Sequence, residues 1–154
     1  MATWAEFEAA APELAAFGRA LLYKTGDPIG YLATVRATDG GPRVHPVCPI
    51  STNGRLYVTI PRVSPKVRDL QANPLYMFHT FPDDRDPEFS FRGRAKLVTD
   101  TAERKAVNEA CTFATGVRDS DEVFELDIER ADTTTWENWA QADTRAVRRS
   151  WTPS

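Results

Sequence analysis

The chain has 154 residues, of which 42% are hydrophobic, so it is long enough to form one domain around a buried core. Its net charge is -3 and no apolar run approaches the ~18 residues of a spanning helix, so neither nucleic acid nor a membrane is an expected partner. The acidic start has no basic signal region and Cys48 and Cys111 lie far apart, so we expect a cytoplasmic protein with reduced cysteines.

The first predicted element is a helical segment at residues 3–23. Thr3 and Glu6 have the spacing of a capping box, in which each side chain accepts a hydrogen bond from the other residue's backbone N–H. Pro12 suits the first position of a second helix. The apolar stripe of that helix consists of Leu14, Phe17, Leu21 and Leu22.

Six extended segments follow, and their hairpin spacing predicts an antiparallel barrel or sandwich. Segment 43–50 is predicted to be an edge or bulged strand with free backbone groups, because it is rich in proline. Gly93 indicates a bulge or a close approach of two backbones. A Rossmann fold is excluded, because strands and helices do not alternate strictly and there is no glycine-rich dinucleotide turn. The predicted strands are residues 29–37, 43–50, 55–60, 75–81, 88–98 and 122–131.

Two further helices and an aperiodic tail complete the chain. Capping residues predict helices at residues 64–73 and 100–115. The tail, residues 133–154, contains three of the four tryptophans and shows no clear period. We interpret these tryptophans as packing residues of the core or of a dimer contact; they are Trp136, Trp139 and Trp151.

The start of the predicted helix 64–73 is unusual in its charge. Lys66 and Arg68 lie in the first turn, where the helix dipole is already positive, so cations there are unfavourable unless an anion lies nearby. The Ser64 hydroxyl and the Lys66 ammonium could converge on one phosphate, with Arg62 and Arg43 adding charge. The alternative interpretation is an ordinary capped helix with a solvated first turn.

Four short motifs, in this order along the chain, resemble the pyridoxamine 5′-phosphate oxidase-like family of flavin-binding split β-barrels. The motifs are A-T-V-R before a glycine turn, P-R-V-x-P, S-x-K-x-x-D-L-x-x-N-P, and a late strand with G-R-A. They cover roughly residues 28–131. The resemblance implies a mainly β fold, a six-stranded antiparallel split barrel with Greek-key-like order. It also implies a homodimer that binds flavin mononucleotide (FMN), or a related deazaflavin coenzyme, at the subunit interface.

The resemblance further implies which residues bind the cofactor. Arg43, Ser64 and Lys66 match the family's phosphate ligands, and Val44 lies beside Arg43 in the P-R-V-x-P motif. The positions implied along the isoalloxazine ring are Val58 and Thr59, through the backbone of their strand, and Glu88, through its side chain.

The activity implied by the resemblance is hydride transfer to or from a small organic substrate. No catalytic residue is predicted, as expected where the cofactor carries the chemistry. The vitamin-salvage oxidase itself is not expected, because its Arg-x-His signature has no counterpart in the histidine-free tail. The alternatives are a non-catalytic flavin-binding module and a dimeric barrel without a ligand.

The two histidines and Cys48 are the other candidate ligands. On an extended strand, positions 45 and 48 point to opposite faces, so no metal site is predicted from His45, Cys48 and His79. Some distant split-barrel relatives use histidine to bind haem, which makes a haem role for His45 the less favoured alternative to a place on the cofactor-side strand.

Overall fold

The computed structural model describes residues 1–154 and shows a mainly β chain with eight strands and four helices. The helices are α1 (Trp4–Ala10), α2 (Pro12–Leu22), α3 (Pro65–Ala72) and α4 (Thr101–Ala110). The strands are β1 (Gly30–Val35), β2 (Pro42–Val47), β3 (Ile50–Thr52), β4 (Arg55–Pro61), β5 (Leu75–Thr80), β6 (Glu88–Leu97), β7 (Asp121–Glu137) and β8 (Arg145–Trp151). No helix combines the length and apolar character needed to cross a bilayer.

All strand pairs are antiparallel, in the order β2-β1-β5-β6-β7-β4-β3, and β8 pairs with the second half of β7. The two outer strands of this order, β2 and β3, are consecutive in the chain and are separated only by Cys48 and Pro49. The two edges are therefore joined by the chain itself rather than by a hydrogen-bonded ladder. This arrangement confirms the predicted split antiparallel barrel.

The predicted count of six strands is wrong, for two local reasons. Segment 43–50 divides into β2 and β3, because Pro49 has no N–H to continue the ladder. The tail, predicted to be aperiodic, forms the end of β7 and β8. This hairpin is largely exposed, so it lacks the alternation of apolar and polar residues by which a half-buried strand is recognised. The fourth helix is also shorter than the predicted 100–115, since it ends at Ala110.

The core of the barrel is aromatic and is closed by the N-terminal helices. Trp4 packs edge-to-face against Phe7, Phe89 and Phe91, with ring centroids 5.4 to 6.2 Å apart. Thr3 and Glu6 form the predicted capping box, in which the Thr3 N–H donates to Glu6 Oε2 at 2.7 Å. Capping and aromatic burial together fix α1 against the barrel.

A second, smaller cluster lies between α4 and strands β3, β4 and β7, and consists of Ile50, Tyr57, Val98, Val107 and Val123. The Tyr57 hydroxyl donates to Glu103 Oε1 at 2.8 Å, and Arg55 pairs with the buried Glu125 at 2.7 Å. Burial and the bond to Glu103 raise the pKa of Tyr57. These contacts hold β3 and β4 in place against β7 and α4.

Candidate functional site

Helix α3 begins as the sequence predicts, with a polar cap and cations only. Ser64 is extended, with φ -69° and ψ 136°, and its hydroxyl accepts from the Lys66 N–H at 3.4 Å. Pro65 occupies the start of the helix, and the first turn contains no acidic residue. The positive end of the helix dipole therefore carries Lys66 and Arg68 without a local carboxylate.

A buried carboxylate one turn further along α3 connects three elements. Asp69 is only 2% exposed, and it accepts from the Ala37 N–H at 2.9 Å and from Arg43 Nε at 2.6 Å. Burial alone would raise the pKa of Asp69, but these two hydrogen bonds and the charge of Arg43 outweigh it and lower the pKa. Asp69 lies inside the S-x-K-x-x-D-L motif, but its partner, a strand residue 26 positions earlier, could not be recognised from the motif.

Arg43 keeps most of its donors free. Only its Nε donates to Asp69, and neither Nη group has a hydrogen-bond partner, although the side chain is just 25% exposed. A guanidinium has five N–H donors in a planar fork. Four of them are thus available to a ligand that reaches this position.

Lys66 and His45 lie beside Arg43. Lys66 is half-buried without an ion-pair partner, and burial and the charge of Arg43 lower its pKa. Burial and the charges of Lys66 and Arg43 lower the pKa of His45. We call Arg43, His45, Lys66 and Asp69 the cation cluster. With one carboxylate against two cations, it has one positive charge in excess and no anion to balance it.

Ser64 lines a separate cavity of about 450 Å³. Arg62, Arg68 and Glu122 contribute to the walls of this cavity, whereas Arg43 and Lys66 do not. The Arg62 guanidinium pairs with Glu122 Oε1 at 2.7 Å, so the charge that the sequence assigned to a phosphate is already balanced. Arg68 has no ion-pair partner either, but it is exposed, whereas the unpaired donors of the cation cluster are partly buried.

Strand β4 presents a free backbone edge near the cluster. β3 pairs only with residues 55–57 of β4, so residues 58–61 have β7 on one side and no strand on the other. The Val58 side chain is fully buried in the core, while Thr59 is half-buried. What this segment can offer a ligand is therefore its main chain and the Thr59 side chain.

Val44 and Glu88 lie on the other face of the sheet. The register across β2, β1, β5 and β6 places Arg43 on the same face as Gly93. Glu88 is five residues from Gly93 and Val44 is adjacent to Arg43, so both point outward. Their side chains therefore point away from the face of the sheet on which Arg43 lies.

The outward face around Val44 is apolar. Its large apolar side chains are 41% to 55% exposed, and they are Tyr31, Val44, Leu75 and Met77. We call these four residues the outer apolar face. A cavity of about 540 Å³ borders it, with Val35, Leu75, Met77 and Arg92 in its wall.

A sequence model of the family described as pyridoxamine 5′-phosphate oxidase matches residues 19–135. No curated protein sequence matches the chain. Among solved structures, the fold is similar to a pyridoxamine 5′-phosphate oxidase-related, FMN-binding protein from Nostoc punctiforme, with a TM-score of 0.58, 13% identity, and coverage of 96% of this chain and 97% of that one. It is also similar to the heme storage protein HutZ from Vibrio cholerae, with a TM-score of 0.54, 17% identity, and coverage of 77% and 89%.

A third similar structure is the heme-binding protein from Mycobacterium smegmatis, with a TM-score of 0.60, 17% identity and coverage of 86% of this chain. The chain spans only 57% of that protein's length. At these identities the likeness shows the fold alone. The family match covers well over half of the chain and agrees with the motifs and the barrel. The chain therefore belongs to the pyridoxamine 5′-phosphate oxidase family of split β-barrels.

Proposed function

We propose that this chain is an oxidoreductase that binds FMN, with the phosphate at the cation cluster, and acts on a small organic substrate. The observation that carries the proposal is the set of free donors in the cluster. Both Nη groups of Arg43 lack a hydrogen-bond acceptor, and the half-buried ammonium of Lys66 has no ion-pair partner. A phosphate dianion would satisfy all of them, with the helix dipole of α3 adding to the attraction.

The free edge of β4 suits the flavin ring. A ring of this kind needs an apolar slot and a few hydrogen bonds at its edge, which unpaired main-chain groups supply. Residues 58–60 offer such groups, together with the Thr59 side chain, whereas Pro61 has no N–H and its carbonyl accepts from the Ser64 N–H at 2.8 Å. Bound flavin would supply the hydride chemistry. The chain itself would bind, orient and shield the ring.

The position of Glu88 supports a homodimer. If Glu88 contacts the same ligand as the cation cluster, a second copy of the chain would supply it, because the two lie on opposite faces of the sheet. The outer apolar face offers the second copy a contact surface, since exposed apolar side chains grouped on one face favour association. We therefore propose that one protomer holds the phosphate and the partner contributes its outward face.

Titration of the purified protein with FMN and with riboflavin tests the proposal. We expect FMN to bind at least about tenfold more tightly, because only FMN carries the phosphate and each charge-assisted hydrogen bond contributes roughly 1.5–3 kcal/mol. Turnover is tested by bleaching bound flavin with a reductant and following its reoxidation by candidate substrates. Equal affinities for FMN and riboflavin would overturn the proposed phosphate site, and stable yellow colour without turnover would indicate a binding module.

A deazaflavin coenzyme presents a phosphate to the same cluster and is the alternative within this class. Mass spectrometry of any small molecule that copurifies with the protein, together with titrations of both coenzymes, separates the two. We expect the tighter of the two ligands to be the one that copurifies.

Haem binding is the second candidate function, because two of the similar structures are described as a heme-binding and a heme storage protein. His45, which lies within the cation cluster, would be the ligand, and its lowered pKa favours the neutral imidazole that binds iron. The absorption spectrum distinguishes the candidates, because haem gives an intense Soret band and flavin gives two weaker bands in the blue and near ultraviolet. A Soret band that is lost in His45→Ala would favour haem.

The dimer can be tested at the outer apolar face. We expect Met77→Lys to dissociate the dimer and to weaken FMN binding as well, because a lysine desolvated at an apolar contact costs several kcal/mol. Val63→Lys is the control, since Val63 is 95% exposed on the loop before α3 and lies outside that face. Sedimentation velocity at micromolar concentration measures the outcome. A wild-type monomer would contradict both the dimer and the shared site.

Loss of the Ser64 cap should have a smaller effect on binding. We expect Ser64→Ala to destabilise the protein by about 1 kcal/mol or less, because the hydroxyl caps α3 through a long bond of 3.4 Å. FMN affinity should fall less than in a lysine variant, since a neutral donor is lost. Urea denaturation and FMN titration measure the two effects, and a loss of affinity larger than that of Lys66→Ala would contradict this ranking.

A further inference from the structure

We propose that Asp69 is a positioning residue, which aims the free Nη groups of Arg43 at the phosphate and sets their separation from Lys66. The inference deepens the proposed function and rests on it. Asp69 itself would not touch the ligand. It would act only through the arginine that it holds.

The geometry of Asp69 is that of a buried anchor. One carboxylate oxygen accepts from the Ala37 N–H at 2.9 Å, which ties α3 to the end of β1. The other accepts from Arg43 Nε at 2.6 Å, which ties α3 to β2. Since only Nε donates to Asp69, the guanidinium is held in place while its two Nη groups stay free.

This anchor matters because β2 is otherwise weakly constrained. β2 is an outer strand with β1 as its only partner, and Arg43 is a long side chain with many rotamers. Lys66 and Asp69 are three residues apart on α3 and so lie on the same side of the helix. By holding Arg43, Asp69 therefore fixes the distance between the two cations that would share one phosphate.

A buried carboxylate beside an anion site should by itself oppose binding, because it repels the phosphate. The two roles of Asp69, positioning and simple electrostatics, therefore predict opposite changes in phosphate affinity when the carboxylate is neutralised. If Asp69 acts only through its charge, its neutralisation should tighten phosphate binding. If it acts by holding Arg43, its neutralisation should weaken phosphate binding despite the gain in positive charge.

The test is Asp69→Asn, with FMN and riboflavin affinities measured in parallel. The amide can still accept from the Ala37 N–H but no longer pairs with the guanidinium. We expect FMN affinity to fall about tenfold or more while riboflavin affinity is unchanged, because only the phosphate contact is lost. Unchanged or tighter FMN binding, or an equal fall for both ligands, would overturn the inference. Asp84→Asn, in the exposed turn before β6, is the control for loss of one negative charge.

Arg43→Lys keeps the test decisive if Asp69→Asn does not fold. A lysine retains the charge, but its single ammonium cannot be held by Asp69 and present a planar fork to the phosphate at once. We expect FMN affinity in Arg43→Lys to fall by about the same factor as in Asp69→Asn, and riboflavin affinity to stay unchanged. An FMN affinity equal to that of the wild type would overturn the inference. If the wild-type protein does not prefer FMN over riboflavin, the proposed function itself fails. If that preference exists and survives in both variants, only the role of Asp69 fails.

Discussion

Lys66→Ala is expected to weaken FMN binding about ten- to a hundredfold, since it removes a charge-assisted contact worth roughly 1.5–3 kcal/mol. The same change should leave the free energy of unfolding of the cofactor-free protein unchanged or higher. Lys66 is half-buried at the positive end of α3, beside Arg43 and without a counter-ion, so its charge is unfavourable until a phosphate arrives. Binding and stability should thus move in opposite directions.

Fluorescence titration with FMN and urea denaturation without it measure the two quantities. Lys105→Ala is the matched control, because Lys105 is an exposed helix lysine that pairs with Glu109. It should change neither FMN affinity nor, beyond a few tenths of a kcal/mol, stability. An unchanged FMN affinity in Lys66→Ala would mean that the start of α3 is only a capped helix.

The pH dependence follows from the lowered pKa of Lys66. FMN affinity should fall as pH rises through this pKa, below the range where an ordinary lysine titrates, because the ammonium loses its charge. The unfolded chain binds this proton more tightly than the folded one, so the stability of the cofactor-free protein gains from Lys66 deprotonation over the same range. Both changes should be absent in Lys66→Ala.

Gly93→Ala is expected to destabilise the protein by about 3 kcal/mol or more, the upper range for overpacking in a core. An added Cβ would lie 1.8 Å from the Asp127 carbonyl oxygen, where β6 and β7 change register. That oxygen cannot move away easily, because it accepts from the Tyr76 hydroxyl at 3.0 Å. Relief of the clash would have to separate the two longest strands of the barrel.

Chemical denaturation measures this effect, with Gly40→Ala as the control. Gly40 needs its backbone freedom, at φ +73°, whereas Gly93 has no positive φ, and an added Cβ at Gly40 would have no atom within 4 Å. Its substitution should cost only about 1 kcal/mol. If the two variants lose similar stability, the close approach of β7 does not explain the glycine at position 93.

The sequence by itself determined those features that depend on near neighbours along the chain. The Thr3–Glu6 capping box and the Ser64 cap of α3 formed as predicted, because a cap is a contact between residues two or three apart. The sequence indicated a bulge or a close approach of two backbones at Gly93, because a glycine inside a strand often marks such a place. Antiparallel strands joined by short turns, and a phosphate motif at the start of a helix, were sufficient to indicate the family.

Only the tertiary structure decided how those features combine. Arg43 and Asp69 are 26 residues apart, and nothing in their neighbourhoods marks them as partners. Glu88 lies on the face opposite Arg43 because of the register of four paired strands. The sequence does not determine any of these registers before the strands pair. The same holds for β8, which is a strand because β7 offers it an edge rather than because of its own residues. Contacts between distant segments determine which strands pair and on which face of the sheet each side chain lies. Such contacts exist only once the barrel has closed.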